Sequence, residues 1–365
     1  MSVSNKVTHL LITLVFVASL WPMAIDAQGR GGGADSRNLR GVLGGVPMTA
    51  ADSAIKEVVD LLDFESYKSL IQGLTEFGDR EQGTPRNAAA VDWIEQTLQG
   101  WGYQTARIHY DYTPRGSDVA EPREEVYATL VGASSPDEMY ILGGHMDGRG
   151  GGEAANDDAS GTALVMEIAR ALASSGVTSA RSIRFALWNN EETGLNGARA
   201  YVEQRQGLQG IEEPAGSGNY PEPRWLGMVQ HDMMLWDHGT PVTHNQALDA
   251  DVDIEFQLNS VMADASAQLA LALLNANRMF ASHYPAVMSN AMSNTDSGPF
   301  QDIVAAVSLR ENRRLYETGN RANPHWHQPT DLFVTFSDDD FRLGFNAAQT
   351  TLGAIARLVD AKVGR

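Results

Sequence analysis

The sequence predicts an α/β protein with a doubly wound, mainly parallel central sheet flanked by helices. Short apolar runs with strand-like alternation recur along the chain, separated by segments with helical periodicity. Acidic residues and histidines follow several of these runs directly. The 365 residues, 43% of them hydrophobic, can form a sizeable core. Because ligands of such sheets bind beyond the carboxyl ends of the strands, we expect a site there.

The individual elements follow from the spacing of their apolar residues. Such residues recur every three or four positions from Val91 to Trp101, as in an amphipathic helix, and every second position from Ile183 to Leu187, as in a strand. The same criteria predict further helices at 50–62, 66–74, 160–175, 194–206, 266–280 and 346–358. They predict further strands at 125–131, 139–142, 225–229, 252–258 and 303–309, with a Gly/Pro-rich loop at 209–223.

The first 27 residues have the pattern of a signal peptide. Within Met1–Ala27 a lone basic residue precedes an apolar run, Leu10–Leu20, and small residues follow it. The core of this run is short for a membrane span, although a retained anchor is the alternative. We therefore expect an exported protein, periplasmic or secreted, without stable membrane insertion after cleavage. A flexible Gly/Arg/Ser-rich segment is expected at 28–49 and one catalytic domain at 50–365.

Charge and cysteine content exclude several classes of function. The net charge of −19 argues against a nucleic-acid partner, because phosphates require Lys and Arg. The chain has no cysteine, which excludes disulfides, Cys-type zinc sites, a thiol nucleophile and a bacterial lipoprotein anchor.

The first half of a candidate metal site lies between two predicted elements. His145 and Asp147 follow a predicted strand, and a glycine-rich loop leads from them to Asn156, Asp157 and Asp158. His, Asp and Glu on loops beside strand ends are what a cation such as zinc needs. The alternative for the acidic cluster is an N-cap of the helix that follows. If Asp158 or Ser160 forms that cap, the register leaves Asp157 as the ligand.

The second half of the candidate site comes further along the chain. Glu191 and Glu192 follow the alternating strand, and Asp232 and His327 lie downstream. Taken alone, an adjacent acid pair indicates no more than a solvated helix start. Together with the earlier motifs, these residues complete a set of His and carboxylate ligands.

In this order the motifs resemble the M28 family of metallopeptidases, the co-catalytic zinc aminopeptidases. The family pattern runs His-x-Asp, Asn-Asp-Asp/Asn-x-Ser-Gly, Glu-Glu, Asp-Met and a final His-x-x-x-Asp, and it recurs between roughly Ser66 and the C terminus. The resemblance implies a single zinc-exopeptidase-like α/β/α domain, two zinc ions per chain and peptide substrates. His325 competes with His327, but Asp331 lies four residues after His327, as the pattern requires.

The resemblance also implies a role for each residue. Of the metal ligands, one ion is expected on His145 and Asp232, the other on Glu192 and His327, with Asp157 bridging the two. Glu191 is expected to take the proton of the attacking water and pass it to the leaving amine. Asp147 is expected to accept the second ring N–H of His145 and orient that ring, with a loop cap as the alternative.

Two positions depart from the family pattern. Many members have a tyrosine before the final histidine, where this chain has Trp326, so an oxyanion contact is open. Many members have a histidine after the aspartate that corresponds to Asp296, where this chain has Ser297. These differences concern substrate or supporting contacts, and the metal ligands are unaffected.

The substrate side of the site is less well defined by sequence. Arg310, Arg313, Arg314 and Tyr316 are candidates for the substrate pocket, or surface residues that balance an acidic protein. We favour an aminopeptidase. The alternatives are a carboxypeptidase or a glutaminyl cyclase of the same family, and a non-catalytic binding module. Cyclase relatives keep a single zinc and binding modules lose ligands, whereas this chain has all five.

Overall fold

A computed structural model describes residues 48–174, 176–237, 252–281, 283–311 and 323–364. These residues fall within one compact unit that spans Ser36–Arg365. The expected signal peptide and almost all of the expected flexible segment lie outside the described residues. The domain boundaries therefore stay predictions.

The described strands form one mixed eight-stranded sheet in the order β1-β2-β4-β3-β5-β8-β6-β7. The strands are β1 (Thr105–Tyr112), β2 (Glu121–Leu130), β3 (Ser135–His145), β4 (Arg181–Trp188), β5 (Arg224–His231), β6 (Val252–Glu255), β7 (Ala286–Ser289) and β8 (Ala306–Arg310). Neighbours are parallel through the centre, from β4 through β3 and β5 to β8, and again between β6 and β7. The pairs β1–β2, β2–β4 and β6–β8 are antiparallel. The predicted α/β fold with a mainly parallel sheet is confirmed.

Seven α-helices in the described residues flank this sheet. They are α1 (Ala50–Val59), α2 (Phe64–Thr75), α3 (Pro85–Gly100), α4 (Gly161–Ser174), α5 (Asn196–Arg205), α6 (Ala263–Phe280) and α7 (Asp338–Leu358). Capping boxes start α1, with Thr49 and Asp52, and α7, with Ser337 and Asp340. Among these described helices none combines the length and apolar character needed to cross a bilayer.

The core is centred on α4, which follows the acidic cluster. Its predicted apolar face, Leu164, Ile168 and Leu172, is buried. The helix packs on β3 and contacts α2 and α7. Burying such side chains stabilises the fold by about 1.5–3 kcal/mol each. The loop in front of α4, which carries Asp157, is therefore held by a well-packed helix.

The register of the parallel central strands brings the candidate residues together at the carboxyl ends of these strands. His145 at the end of β3 pairs with Trp188 at the end of β4, and Gly144 pairs with His231 at the end of β5. The residues that follow these three strands consequently emerge side by side. This is the edge at which a site was expected.

Several elements differ from the sequence predictions. The strands β1 and β7 at the two ends of the described sheet were not predicted. β1 has one buried residue among eight, and β7 has only four residues, so neither gives a clear alternating pattern. β8 starts at Ala306, not Ile303, because the N–H of Ile303 donates to Phe300 in a preceding turn. α7 starts eight residues before the predicted position, since its polar first turn hides the helical periodicity.

Candidate metal centre

The first group of metal-ligating atoms lies between β3, the loop before α4 and the end of β5. His145 Nε2 lies 3.2 Å from Asp157 Oδ1 and 3.9 Å from Asp232 Oδ1. All three side chains are buried. Among the residues that the structure describes, they form one of two sets in which every ligand atom lies within 4.8 Å of the others.

The second group shares Asp157 with the first. His327 Nε2 lies 3.1 Å from Asp157 Oδ2 and 2.8 Å from Glu192 Oε2. The two oxygens of Asp157 thus face two different histidines. One carboxylate joins both groups, which is the arrangement expected of a bridging ligand.

Donor chemistry and spacing both fit zinc. Tetrahedral zinc with bonds of about 2.0–2.1 Å holds its ligand atoms about 3.3 Å apart. The ligand atoms here are separated by 2.8–3.9 Å. Each group combines one imidazole with carboxylate oxygens, a donor set typical of catalytic zinc. The five predicted metal ligands therefore lie together.

Electrostatics also favour cations in both groups. Burial lowers the pKa of His327, but its hydrogen bonds to Asp157 and Glu192 outweigh this and raise the pKa to about 9. Burial likewise lowers the pKa of His145, yet nearby carboxylates, Glu191 first, hold it well above its ordinary value. Burial raises the pKa of Asp157, and the two histidines reverse this and hold it well below the usual range. Without metal, protons on the imidazoles balance the acids where a bound cation would otherwise do so.

Asp331 holds the bridging carboxylate in place. Its two oxygens accept the backbone N–H groups of Asn156, at 2.8 Å, and Asp157, at 3.1 Å. Burial raises the pKa of Asp331 to about 6, although these bonds oppose the shift. Asp331 is also the residue whose spacing distinguished His327 from His325. It thus contacts the backbone of Asp157, the proposed bridging ligand.

Asp158, one of the two cap candidates in the sequence, accepts a hydrogen bond at the start of the helix behind the site. Its Oδ1 accepts the N–H of Gly161 at 2.8 Å, at the start of α4. The same oxygen accepts the N–H of Met233 at 3.1 Å, and Oδ2 accepts that of His145 at 3.1 Å. One buried carboxylate therefore ties α4 to the ends of β3 and β5.

Asp147 orients the site differently from our prediction. His145 Nδ1 lies 2.9 Å from the backbone oxygen of Asp147 and 3.7 Å from its carboxylate. The ring N–H is therefore bound by the main chain, and the expected bond to the carboxylate is wrong. The Asp147 carboxylate instead accepts the N–H groups of Glu191, at 3.0 Å, and Glu192, at 3.3 Å. It fixes the turn that carries both glutamates.

Glu191 belongs to neither metal-ligating group, although its neighbour Glu192 does. Its side chain is buried at the same edge of the sheet. Burial raises the pKa of Glu191 well above its ordinary value, and His145 opposes the shift. A carboxylate that is close to the metal ligands and is not itself one has the position required of a general base.

Arg310 has a different position from the one the sequence suggested. It is buried at the end of β8, and its Nη2 donates to Asp232 Oδ2 at 3.0 Å. It also donates to the backbone oxygens of Ser293 and Asn294. It therefore supports a metal ligand and does not face the solvent. The other pocket candidates, 313, 314 and 316, lie outside the described residues.

The competing histidines lie outside both groups. His325 Nδ1 contacts Thr330 Oγ1 at 2.9 Å, and its ring packs on Trp236. His231 is buried between the backbone oxygen of Gly143 and Thr351, and burial lowers its pKa to about 4. The preference for His327 over His325 thus agrees with the geometry.

The two departures from the family pattern, Trp326 and Ser297, have defined surroundings, and Ser297 is fully buried with its Oγ 2.9 Å from Met292 Sδ. The ring centroid of Trp326 lies 4.4 Å from that of His327, so the indole stacks on a proposed ligand. Asp296 is fully buried behind the site, with Gln230 Nε2 at 3.5 Å from its Oδ2. Trp326 therefore contacts a proposed metal ligand, whereas Ser297 contacts a methionine next to the buried Asp296.

One buried arginine was missed by the sequence analysis. Arg80 is fully buried and donates to five backbone oxygens, those of Leu74, Gly78, Met146, Glu153 and Ala154. It joins the loop after α2 to both ends of the glycine-rich loop. A single arginine in a glycine-containing loop gave no signal in the sequence, since its partners are main-chain atoms.

Known proteins resemble this chain in sequence and in fold. The model of peptidase family M28 matches residues 125–348, more than half of the chain. A probable zinc metalloprotease of Leptosphaeria maculans is 30% identical over 175 residues, which are 42% of this chain and 40% of that protein. The chain thus spans about two fifths of the length of that curated relative.

Solved structures share the fold at low sequence identity. An aminopeptidase from Aneurinibacillus sp. strain AM-1 has a TM-score of 0.61 and 16% identity over 86% of this chain and 97% of its own. A glutaminyl cyclase of Porphyromonas gingivalis has a TM-score of 0.60 and 16% identity over 82% of this chain and 99% of its own. At these identities the likeness shows the zinc-exopeptidase-like α/β fold. Together with the family match, it shows that the chain belongs to peptidase family M28.

Proposed function

We propose that this protein is a zinc-dependent exopeptidase that removes residues from the N terminus of peptides. The observation that carries the proposal is the position of Asp157 between two histidines, one at each of its oxygens. A carboxylate shared in this way, with one more carboxylate beside each histidine, offers two adjacent cation positions. Membership of peptidase family M28 supports hydrolysis of peptide bonds.

Two zinc ions per chain are part of this proposal. His145 and Asp232 would hold one, Glu192 and His327 the other, and Asp157 both. Bound zinc would supply a Lewis acid and would lower the pKa of a bound water to near neutrality. All remaining steps fall to side chains of this chain.

Glu191 is the proposed proton carrier of the reaction. Its carboxylate accepts a proton as water attacks the scissile carbonyl carbon, and returns that proton to the amine nitrogen as the C–N bond breaks. Asp147 binds the N–H of Glu191, so the carboxylate of Glu191 starts from a fixed backbone. Burial of Glu191 keeps bulk water from competing for the proton.

The acidic surroundings favour an aminopeptidase over a carboxypeptidase. Besides the ligands, Glu191 and Asp296 are buried at the same edge, and their charges act on His145. A free α-ammonium group beside the scissile bond would be attracted here, whereas a free α-carboxylate would be repelled. Two Zn²⁺ would offset the three ligand carboxylates, so the negative charges of Glu191 and Asp296 are what supports binding of the peptide N terminus.

A panel of matched peptides tests this function. Zinc-loaded protein is assayed on dipeptides with both ends free, on their N-acetylated forms and on their C-terminal amides. An aminopeptidase cleaves the free and amidated forms and spares the acetylated ones. Cleavage of acetylated dipeptides alone would indicate a carboxypeptidase, and cyclisation of an N-terminal glutamine without hydrolysis would indicate a glutaminyl cyclase. Hydrolysis of none of them would contradict the proposed function.

We also propose that the protein is exported. The support is the sequence pattern of Met1–Ala27, an apolar run preceded by a basic residue and followed by small residues. The absence of cysteine is compatible with an oxidising compartment.

A further inference from the structure

A cleft of about 600 Å³ opens directly beside the second metal-ligating group. One side is formed by the ligands Glu192 and His327 together with Thr193. The opposite side is formed by the loop before α3 and by the glycine-rich loop after β3, which meet in the cleft. A peptide whose scissile bond lies at the metal centre could extend into this space. The charged side chains that line the cleft would then influence which peptides bind.

Most charges in the cleft are already balanced by their neighbours. Asp79 Oδ1 accepts two hydrogen bonds from Arg86, at 2.8 and 2.5 Å, and its Oδ2 accepts the N–H of Gly151 at 3.0 Å. Arg86 also lies 3.3 Å from Glu81. Two carboxylates and one guanidinium group form this compact set, so each charged group on that wall already has a partner within the set.

The glycine-rich loop is fixed against the segment that carries His327. Gly150 has φ +103°, and a Cβ there would lie 2.6 Å from the backbone carbon of His327, so only glycine fits. At the end of the loop, the N–H of Glu153 donates to the backbone oxygen of Asp331 at 2.8 Å. A residue on this loop therefore has a defined position relative to the metal centre.

Arg149 lies on that loop and brings a second guanidinium group to the cleft, outside the set formed by Asp79, Glu81 and Arg86. Its side chain is exposed, and its Nη1 lies 3.4 Å from the backbone oxygen of Glu192. In the described part of the chain, no carboxylate lies within 4.0 Å of its guanidinium. The contact with Glu192 keeps the cation next to a proposed metal ligand while its other N–H groups are available.

We propose that Arg149 binds a carboxylate of the substrate on the side of the leaving residue, and so makes the enzyme selective for peptides that are acidic there. This inference rests on the proposed function. The N-terminal side is excluded because an α-ammonium group would be repelled by a nearby guanidinium. Guanidinium groups bind carboxylates through paired, charge-assisted hydrogen bonds, which suits this role.

The carboxylate has two possible sources in a peptide. It can be the side chain of an Asp or Glu that follows the scissile bond, or the C-terminal carboxylate of a dipeptide. The chemistry of recognition by Arg149 is the same for both. Matched peptides separate them, because each carboxylate can be replaced by an amide of the same shape.

Four peptides test the proposal, all with the N-terminal residue cleaved fastest in the dipeptide panel, here written Xaa. Xaa-Asp-amide is compared with Xaa-Asn-amide for the side chain, and Xaa-Gly with Xaa-Gly-amide for the C terminus. The readout is the ratio of kcat/KM within each pair. Arg149→Gln should lower at least one ratio by about 5- to 30-fold, the loss expected for one charge-assisted hydrogen bond. The change should lie mainly in KM, because the contact is the same in substrate and transition state.

Arg199→Gln is the matched control. Arg199 is also exposed, and it also donates to a single backbone oxygen, that of Gly194. Both ratios should stay within about twofold of the wild-type values in this variant. Arg149→Lys, which keeps the charge but not the paired hydrogen bonds, should give intermediate ratios.

The outcomes separate this inference from the function on which it rests. If the peptides are cleaved but Arg149→Gln changes neither ratio, the selectivity proposal is wrong and the aminopeptidase proposal stands. If only one ratio falls, that pair identifies the source of the carboxylate. If the dipeptide panel finds no hydrolysis at all, both proposals fail.

Discussion

The carboxylate of Asp147 accepts the backbone N–H of Glu191 at 3.0 Å. This bond joins the first metal-binding motif, after β3, to the proposed proton carrier, after β4. It defines the start of the turn from which Glu191 and Glu192 project. Two adjacent glutamates can therefore do different work, since one faces His327 and the other does not.

Glu191→Gln should keep zinc and lose turnover. The amide keeps the size of the side chain but cannot accept the proton. We expect kcat to fall by about 10²–10⁴-fold, the usual contribution of general acid–base catalysis. That corresponds to about 3–5 kcal/mol in the barrier. Zinc content and kcat are measured on the same preparation, and full turnover with zinc bound would contradict the mechanism.

Glu192→Gln is the matched control for that experiment. It makes the same chemical change one residue further along, on the residue 2.8 Å from His327 Nε2. We expect the zinc content itself to fall, because a charged ligand is lost. The opposite result, zinc lost from the Glu191 variant and retained by the Glu192 variant, would show that the assignment is off by one residue.

Wild-type protein should bind two zinc ions per chain, and Asp157→Asn should weaken both. Asp157 alone is proposed to contact both ions, whereas Asp232→Asn should affect only one. Metal content is measured by atomic emission after dialysis against a zinc buffer, and affinity by calorimetric titration of chelated protein. Chelation should abolish activity. One ion in the wild-type protein would contradict the bridged arrangement.

Arg80→Lys should destabilise the fold, and the substituted residue is not one of those proposed to contact the substrate. A lysine cannot replace five hydrogen bonds to backbone oxygens, so buried carbonyl groups lose their donor. We expect the free energy of unfolding to fall by about 2–5 kcal/mol. Arg115→Lys, at an exposed position, should change it by less than about 0.5 kcal/mol. Urea unfolding of the chelated proteins measures both, and equal stabilities would contradict the role of Arg80.

Glu125 should make stability depend on pH. Its Oε2 accepts the N–H of Asn189 at 3.1 Å, and burial raises its pKa well above the ordinary value. An acid with a raised folded-state pKa contributes stability below its unfolded pKa of about 4.5, and that stability is lost as pH rises. Glu125→Gln lacks this titration. The free energy of unfolding of Glu125→Gln, measured relative to that of the wild-type protein, should therefore increase from pH 5 to pH 8.

The control for Glu125 is an exposed glutamate on α2, Glu65. The difference in free energy of unfolding between Glu65→Gln and the wild-type protein should vary less with pH. Urea unfolding of chelated protein at pH 5, 6.5 and 8 measures both series. If the difference in free energy of unfolding between Glu125→Gln and the wild-type protein stays constant across this range, burial of Glu125 does not shift the titration of its carboxyl group.

The mature protein should begin near Gln28. Signal peptidases cleave after small residues, and Ala27 ends the segment of small residues that follows the apolar run. Mass spectrometry of the protein recovered from its native host gives the N-terminal residue directly. An intact Met1 in that sample would contradict export by this route.

The alternation of apolar residues was sufficient to predict the α/β class and the central strands. Periodicity reports which residues face a core, and β3, β4, β5 and β8 are buried, so their pattern is strong. In the described sheet the outer strands give a weaker pattern, because β1 has one buried residue among eight and β7 has only four residues. The metal ligands could be proposed because each follows a strand in a motif of fixed spacing.

Contacts between distant segments could only be seen in the folded chain. The shared position of Asp157 between His145 and His327 depends on residues far apart in sequence. The carboxylate of Asp147 binds Glu191, while a main-chain oxygen binds the His145 ring, and sequence spacing cannot distinguish these options.

Sequence by itself determined the fold class and was sufficient to propose five ligand positions and a separate role for Glu191, because these depend on local pattern and motif order. Tertiary structure decided the partner of each side chain: Asp331 beneath Asp157, Arg310 beside Asp232, and Arg149 in the cleft. The physical reason is that hydrogen bonds and ion pairs act over a few ångströms. Chain folding alone sets which groups come within that distance.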